Sequence, residues 1–425
     1  MITSPITRPI TSRIASAIAG ARVGGGSGPS TPEELFDTGA VLFTMAGQSL
    51  ALGSTGTEDV AAVVSSETDK ALMFNGGTRP AVDDTDTATI SLASTNVNAA
   101  KAVSLSYLQE SVSPREDKNY AETYLTGISA QNPSVPLFMV PNAVGASTLE
   151  NNNYGMSSGA NGEIFASMIL LLQQAKKIYD ERGIDVSWKY HLIAQGEANA
   201  YDTAADYKAE LISYMANLEK YGFASLGDIS TPPKYIQYLT KYGGFTTYGP
   251  PTAMLELMEE YSNYFVVGPN YHMEDVGDGV HLTSLSYRRY GELIGKVVSK
   301  LEQDVAWKPL YITGAVRDGT TITLTYHNPS NTALAFDTTL VSSQANYGFD
   351  YLEAVPGDNP ITSVTIIDNT TIELEITSAA DGCVLYAIDT DGIFGKGNLR
   401  DSDTAVATHD SYPLYNWACN QVVQL

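Results

Sequence analysis

Val41-Leu42-Phe43-Thr44-Met45-Ala46-Gly47-Gln48-Ser49 is a short, almost wholly apolar run that stops at a glycine and gives way to two polar residues. A run of this length and content fits a strand buried on both faces, as in a parallel sheet. Similar runs lie at 135–140, at 186–194 and at 264–267, the last ending at Gly268-Pro269. Amphipathic segments separate them. Residues 163–181 place Ile164, Met168, Leu171, Leu172, Ala175 and Ile178 on one side of a helix, and 204–220 do the same with Leu211, Met215 and Leu218. Residues 285–301 make a third helix. Apolar strands spaced by helices predict an α/β fold over residues 34–304, a parallel sheet with flanking helices. Residues 54–127 break this rhythm and are expected to be an insertion with irregular or short β structure.

The flanks differ in texture. From about residue 305, period-two alternation such as Thr320-Thr321-Ile322-Thr323-Leu324-Thr325-Tyr326 predicts an antiparallel β-sandwich with an irregular tail, through residue 425. Residues 1–33 form an arm and linker. Ile2, Ile6, Ile10, Ile14 and Ile18 recur every four residues, and Pro5 and Pro9 bar a regular helix through the first half. The arm carries Arg8, Arg13 and Arg22 with no acid before Glu33, then runs into Gly24-Gly25-Gly26-Ser27-Gly28-Pro29. That is a flexible linker, and the arm reads either as a disordered tail or as a docking segment.

Composition excludes several classes. With 425 residues, 43% hydrophobic and 17% charged, the chain can bury real cores. Its 24 basic and 48 acidic residues give a net charge of −24, which repels a phosphate backbone and argues against nucleic acid as partner. No apolar stretch approaches the roughly 20 residues that span a bilayer, so membrane insertion is not expected. Prolines and arginines interrupt the N-terminus where a signal peptide would be apolar, so synthesis and folding in a cytoplasm are expected. Cys383 and Cys419 could form one bridge or remain two thiols, and thiols are favoured.

Five histidines, His191, His272, His281, His327 and His409, limit the choice of a base. His191 sits inside a strand and reads as a core residue satisfied by hydrogen bonds. His281 follows Asp278 by three residues just before a helix, a spacing that can bring the carboxylate to the imidazole and fix its tautomer. Ser49 ends the first strand, where α/β sheets present reactive groups, although a serine there can also simply cap the next helix.

In order and spacing, Gly47-Gln48-Ser49, Gly145-Ala146-Ser147, Gln195-Gly196-Glu197 and Asp278-Gly279-Val280-His281-Leu282-Thr283 resemble the blocks of SGNH (GDSL-type) hydrolases, in particular the sialate O-acetylesterase and acetylxylan esterase branch. The resemblance runs over about residues 42–298 and implies a flavodoxin-like sheet and a serine-dependent carbohydrate O-acetylesterase. It implies Ser49 as nucleophile, His281 as general base and Asp278 as the acid orienting it. The oxyanion hole would be the N–H groups of Ser49 and Gly145 with the Gln195 side-chain amide; Gly76 and Gly77 are rivals to Gly145. Leu50 stands where the family often has Asn, and Asn199 where it has Asp, so Asn199 is not expected to act as an acid. Some relatives use the glutamate of this block as triad acid or support, so Glu197 competes with Asp278. No cofactor is implied, and no His-Glu-x-x-His or comparable metal motif is present.

Other readings remain open. Gly47-Gln48-Ser49-Leu50-Ala51 is close to the Gly-x-Ser-x-Gly elbow of α/β-hydrolases, but an acid three residues from the histidine favours the SGNH pattern. A glycosidase would need a facing carboxylate pair that no motif isolates. The arm and the ending Gly397-Asn398-Leu399-Arg400-Asp401-Ser402, with Tyr412 to Trp417, resemble bacteriophage tail-spike deacetylases. That resemblance implies a virion enzyme acting on a bacterial surface polysaccharide, attached through residues 1–28 to another tail protein, as a homotrimer. A free bacterial carbohydrate esterase and a non-catalytic glycan-binding tail fibre are the alternatives.

Overall fold

The structure, a computed structural model, describes residues 31–53, 71–75, 102–108, 121–131, 135–154, 161–241, 248–353, 360–377, 380–389 and 395–425. Within them the first apolar run forms β1 (Val41–Gly47), every residue of which is buried. Strands β2 (Ala71–Phe74), β3 (Leu105–Tyr107), β4 (Leu137–Ala143), β5 (Trp188–Ala194), β6 (Lys234–Leu239) and β7 (Tyr264–Pro269) join it in one seven-stranded sheet of order β3-β2-β4-β1-β5-β6-β7. All pairs are parallel except β2–β3. The stretch β4-β1-β5-β6-β7 has the flavodoxin-like order 2-1-3-4-5. From the expected insertion at 54–127, two short strands add to the edge of the sheet, and a helix the reading above does not assign begins at Ala121.

Period-two alternation divides the sheet's side chains between two cores. Leu42, Ala46, Phe138, Val140 and Ile193 face the helices Asn161–Arg182, Ala204–Ser225 and Gly249–Glu260. Val41, Phe43, Met45, Leu137, Met139 and Leu192 face Ala121–Ala130 and Ser284–Glu302. The expected helices at 163–181, 204–220 and 285–301 are present, each somewhat longer. β6 was not expected, because Lys234-Tyr235-Ile236-Gln237-Tyr238-Leu239 lacks an apolar signature. Its polar atoms are buried in pairs: Gln237 Nε2 donates to Gln195 O at 2.9 Å and the Tyr238 hydroxyl to Glu197 Oε2 at 2.7 Å.

His191 is the satisfied core histidine its position implied. Fully buried, its ring nitrogens pair with Thr44 Oγ1 at 2.7 Å and the Tyr214 hydroxyl at 2.9 Å.

The C-terminal region contains β8 (Tyr311–Asp318), β9 (Thr321–His327), β10 (Ala335–Phe336), β11 (Phe349–Glu353), β12 (Ile361–Ile366), β13 (Thr371–Ile376), β14 (Gly382–Tyr386), β15 (Leu399–Arg400) and β16 (Gln421–Gln424). They make antiparallel sheets of order β12-β13-β9-β8 and β11-β14-β16 and a β10–β15 pair. Ile322, Leu324, Ile372 and Leu374 pack with Phe349, Tyr351, Val384 and Tyr386 in a third core, as a sandwich requires. Cys383 and Cys419 are free thiols.

This region is fastened to the larger sheet by polar contacts. The buried Lys296 ammonium donates to Leu414 O at 2.7 Å and Asn416 Oδ1 at 3.0 Å, and pairs with Asp403 at 2.8 Å. The Tyr271 hydroxyl donates to Ala418 O at 2.7 Å.

Two predictions follow from packing and burial. The helices Ala121–Ala130 and Ser284–Glu302 touch backbone to backbone at Gly127 and Gly295, where an added Cβ would overlap Arg288 O and Ile128 O respectively. Gly295→Ala should therefore lower unfolding free energy by about 1–3 kcal/mol, read from urea midpoints.

Burial pushes His191 from 6.5 down to about 3. Burial and the nearby Lys241 charge do the same to His272, also to about 3. Between those values the unfolded chain binds protons that the folded chain refuses, so stability rises with pH across that window. His191→Gln should flatten the slope of unfolding free energy between pH ~4 and ~6 by about 1.4 kcal/mol per pH unit; an unchanged slope would refute the assignment.

Candidate active site

β1 is where the strand order reverses, with β2, β3 and β4 on one side of it and β5, β6 and β7 on the other, the switch point at which open α/β sheets form a crevice. Gly47 belongs there for steric reasons. A Cβ would overlap Ala194 O of β5 and lie 2.8 Å from the Ala51 Cβ. The chain can then turn directly into the short helix Ser49–Leu52, whose N-cap is Gln48 rather than Ser49. Ser49 is thus not the capping serine that was the alternative reading. Its N–H opens the helix and has no acceptor within it.

The Ser49 hydroxyl lies 2.8 Å from His281 Nε2 and 3.1 Å from Gln48 Oε1. The other imidazole nitrogen, His281 Nδ1, lies 2.6 Å from Asp278 Oδ2. Asp278 Oδ1 accepts from the N–H groups of Val280 at 2.9 Å and His281 at 2.8 Å, an Asx-type turn that fixes both members of the pair. Burial alone would raise the Asp278 carboxyl, but the bonds from the His281 side chain and from these two N–H groups outweigh it and hold it below its ordinary value. Asp278 is thereby an anion aimed at the imidazole.

Gly145 is brought close to the same strand end. Val144 N–H donates to Gly47 O at 3.2 Å, and Ser147 Oγ to the same carbonyl at 3.3 Å. A Cβ on Gly145 would meet nothing within 4 Å, so its backbone borders open space. Gly76 and Gly77 lie outside the described residues.

Gln195 and Glu197 lie buried beside this chain of contacts. Gln195 is buried, and no bond of its amide reaches Ser49 among the described residues. Its Nε2 donates to Asn199 Oδ1 and to Ser147 O, and its Oε1 accepts from the Tyr207 hydroxyl at 2.8 Å. Glu197 is buried as well and contacts Gln48 and Tyr238, while His281 pairs with Asp278. Gln48 Nε2 donates to Glu197 Oε2 at 2.8 Å, so Glu197 braces the side chain that lies 3.1 Å from the Ser49 hydroxyl. Burial pushes the Glu197 carboxyl above its ordinary value, against bonds from Tyr238, Thr240 and Gln48.

Sequence reasoning did not find the part played by Gln48 and Tyr238. Gln48 stood within a quoted motif with no partner to give it a role. Tyr238 lies on the strand whose pattern was not apolar. No group of three or more His, Cys, Asp or Glu side chains among the described residues could hold a metal ion.

No protein-family model matches the chain, and no curated protein does. Solved structures do. A carbohydrate acetylesterase from Xanthomonas citri superposes with a TM-score of 0.58 at 16% identity, covering 90% of this chain and 80% of the other. An Arabidopsis thaliana protein gives 0.39 at 16% identity, covering 60% of this chain and 96% of its own. A carbohydrate acetylesterase from Sinorhizobium meliloti gives 0.32 at 13% identity, covering 61% and 99%. The first of these is a likeness of fold across most of both chains: a mostly parallel seven-stranded sheet between helices, with separate antiparallel sheets after it.

Proposed function

We propose that this chain is a serine esterase that removes O-acetyl groups from a carbohydrate. The observation that carries the reading is the continuous chain Ser49 Oγ, His281 Nε2, His281 Nδ1, Asp278 Oδ2, with contacts of 2.8 and 2.6 Å. A serine hydroxyl is a weak nucleophile unless a base within hydrogen-bond reach takes its proton. Ser49 Oγ attacks the acetyl carbonyl as its proton passes to His281 Nε2, and Asp278 stabilises the imidazolium so formed. The carbonyl oxygen becomes an oxyanion. The N–H groups of Ser49 and Gly145 and the Gln195 side-chain amide are the donors assigned to it, each contributing on the order of 3–4 kcal/mol. His281 returns the proton to the leaving sugar hydroxyl. Water, deprotonated by His281, then attacks the acetyl-Ser49 ester, acetate departs and Ser49 is restored.

The finer reading is that of a phage tail component acting on a bacterial surface polysaccharide, O-antigen or capsule. It is supported by the basic Ile-Thr-Arg-Pro-Ile-Thr arm on a chain of net charge −24 and by the glycine-rich linker after it. In this reading residues 1–28, which lie outside the described residues, dock on another virion protein, and closed symmetry gives a homotrimer.

Acetate release from an acetylated glycan by the purified chain, with Ser49→Ala as control, tests the core of the proposal; equal release by both removes Ser49 from the mechanism. Asp278→Asn should lower kcat by roughly 10³- to 10⁴-fold with the fold intact. Glu197→Gln should cost less, because it acts only through Gln48. The reverse ranking would make Glu197 the acid. Deleting residues 1–28 should leave turnover unchanged and abolish incorporation into particles. Lost turnover with normal incorporation contradicts the role given to the arm.

A further inference from the structure

The loop that carries Asp278 and His281 is built on a second aspartate. Asp275 Oδ1 accepts from the N–H groups of Gly277 at 2.9 Å and Gly279 at 3.3 Å. Both glycines have left-handed backbones, φ +96° and +77°, which side chains resist. At the base of the loop, Val276 N–H donates to His281 O at 2.9 Å, and Asp275 and Leu282 form an antiparallel bridge. The turn around Asp278 is therefore nested inside a turn around Asp275.

The other oxygen of Asp275 faces Lys241, with Nζ 3.1 Å from Oδ2. Lys241 follows β6, and its side chain is 1% exposed against 16% for that of Asp275. Its own backbone N–H donates to Asn270 Oδ1 at 3.2 Å, and Asn270 N–H donates to Leu239 O at 3.3 Å. The ammonium is thus fixed by the sheet, not by the loop. A buried cation of this kind needs its anion in place, since an unpaired charge in such a setting is strongly destabilising.

We propose that Lys241 is a positioning residue: through Asp275 it locks the loop that presents Asp278 and His281 to Ser49. The inference rests on reading those three residues as the catalytic set. Lys241 touches none of them, so its effect is transmitted through the loop backbone, where a displacement of about 1 Å in a reacting group costs on the order of 10²-fold in rate. Burial lowers the Lys241 ammonium and the Asp275 charge opposes that shift; burial alone would raise the Asp275 carboxyl, but the Lys241 charge with the Gly277 and Gly279 N–H groups outweighs it and holds Asp275 below its ordinary value.

The test compares the full chain with Lys241→Met and Asp275→Asn, using hydrolysis of an aryl acetate and hydrogen exchange of backbone amides. In the wild type, the Gly277 and Gly279 amides should be protected, although they lie in a surface loop; rapid exchange there overturns the proposal without reference to any variant. Lys241→Met should lower kcat about 10²-fold with KM nearly unchanged, and should raise amide exchange within 275–282 while the sheet strands stay protected. A kcat within about twofold of wild type, or faster exchange spread evenly over the protein, overturns it. Asp275→Asn should reproduce the same split between kcat and KM, and a loss confined to KM contradicts the proposal. A wild-type chain that hydrolyses no ester would defeat the reading of Ser49, and the exchange pattern would still decide whether Lys241 holds the loop.

Discussion

Parallel pairing of β1 on both of its edges is the constraint from which the site follows. A strand paired on both sides and covered on both faces has nowhere to send the chain except out of its end. Gly47 allows that exit to pass against the Ala194 carbonyl of β5. The same exit leaves Gly47 O free to collect Val144 N–H and Ser147 Oγ from the loop after β4. Ser49, the Gly145 backbone and the 195–199 segment thus converge because three strands are in register, with no long connection having to find its way there.

Charge is managed at the site by pairing. Asp278 is anchored by two backbone N–H groups and the imidazole, Asp275 by two others and Lys241, and Glu197 by Gln48 and Tyr238.

The sequence made legible what depends on periodicity and on short spacing. β1, β4, β5 and β7 announced themselves by apolar runs, and the Asp278–His281 contact by a separation that one turn can close. What stayed hidden depended on partners distant in the chain. β6 buries a glutamine and two tyrosines, which read as surface until Gln195 and Glu197 are seen to receive their donors. Gln195 Nε2 donates to Asn199 Oδ1 and its Oε1 accepts from Tyr207, partners that no spacing rule announces. The Lys241–Asp275 pair joins residues 34 apart across elements of which one was not foreseen.

Lys296 gives the C-terminal region a meaning beyond packing. Its ammonium is housed by Leu414 O, Asn416 and Asp403, all contributed by the tail, on a helix that belongs to the larger sheet. Cutting the chain after that helix would leave a buried cation without its partners, together with a Val266 carbonyl and a Tyr271 hydroxyl stripped of theirs. The larger α/β part is therefore not a module that can be lifted out and transplanted. Anyone shortening this protein for expression, or grafting a different sandwich behind it, inherits an obligation to neutralise position 296, and the two halves will melt as one cooperative unit as long as that ammonium remains enclosed.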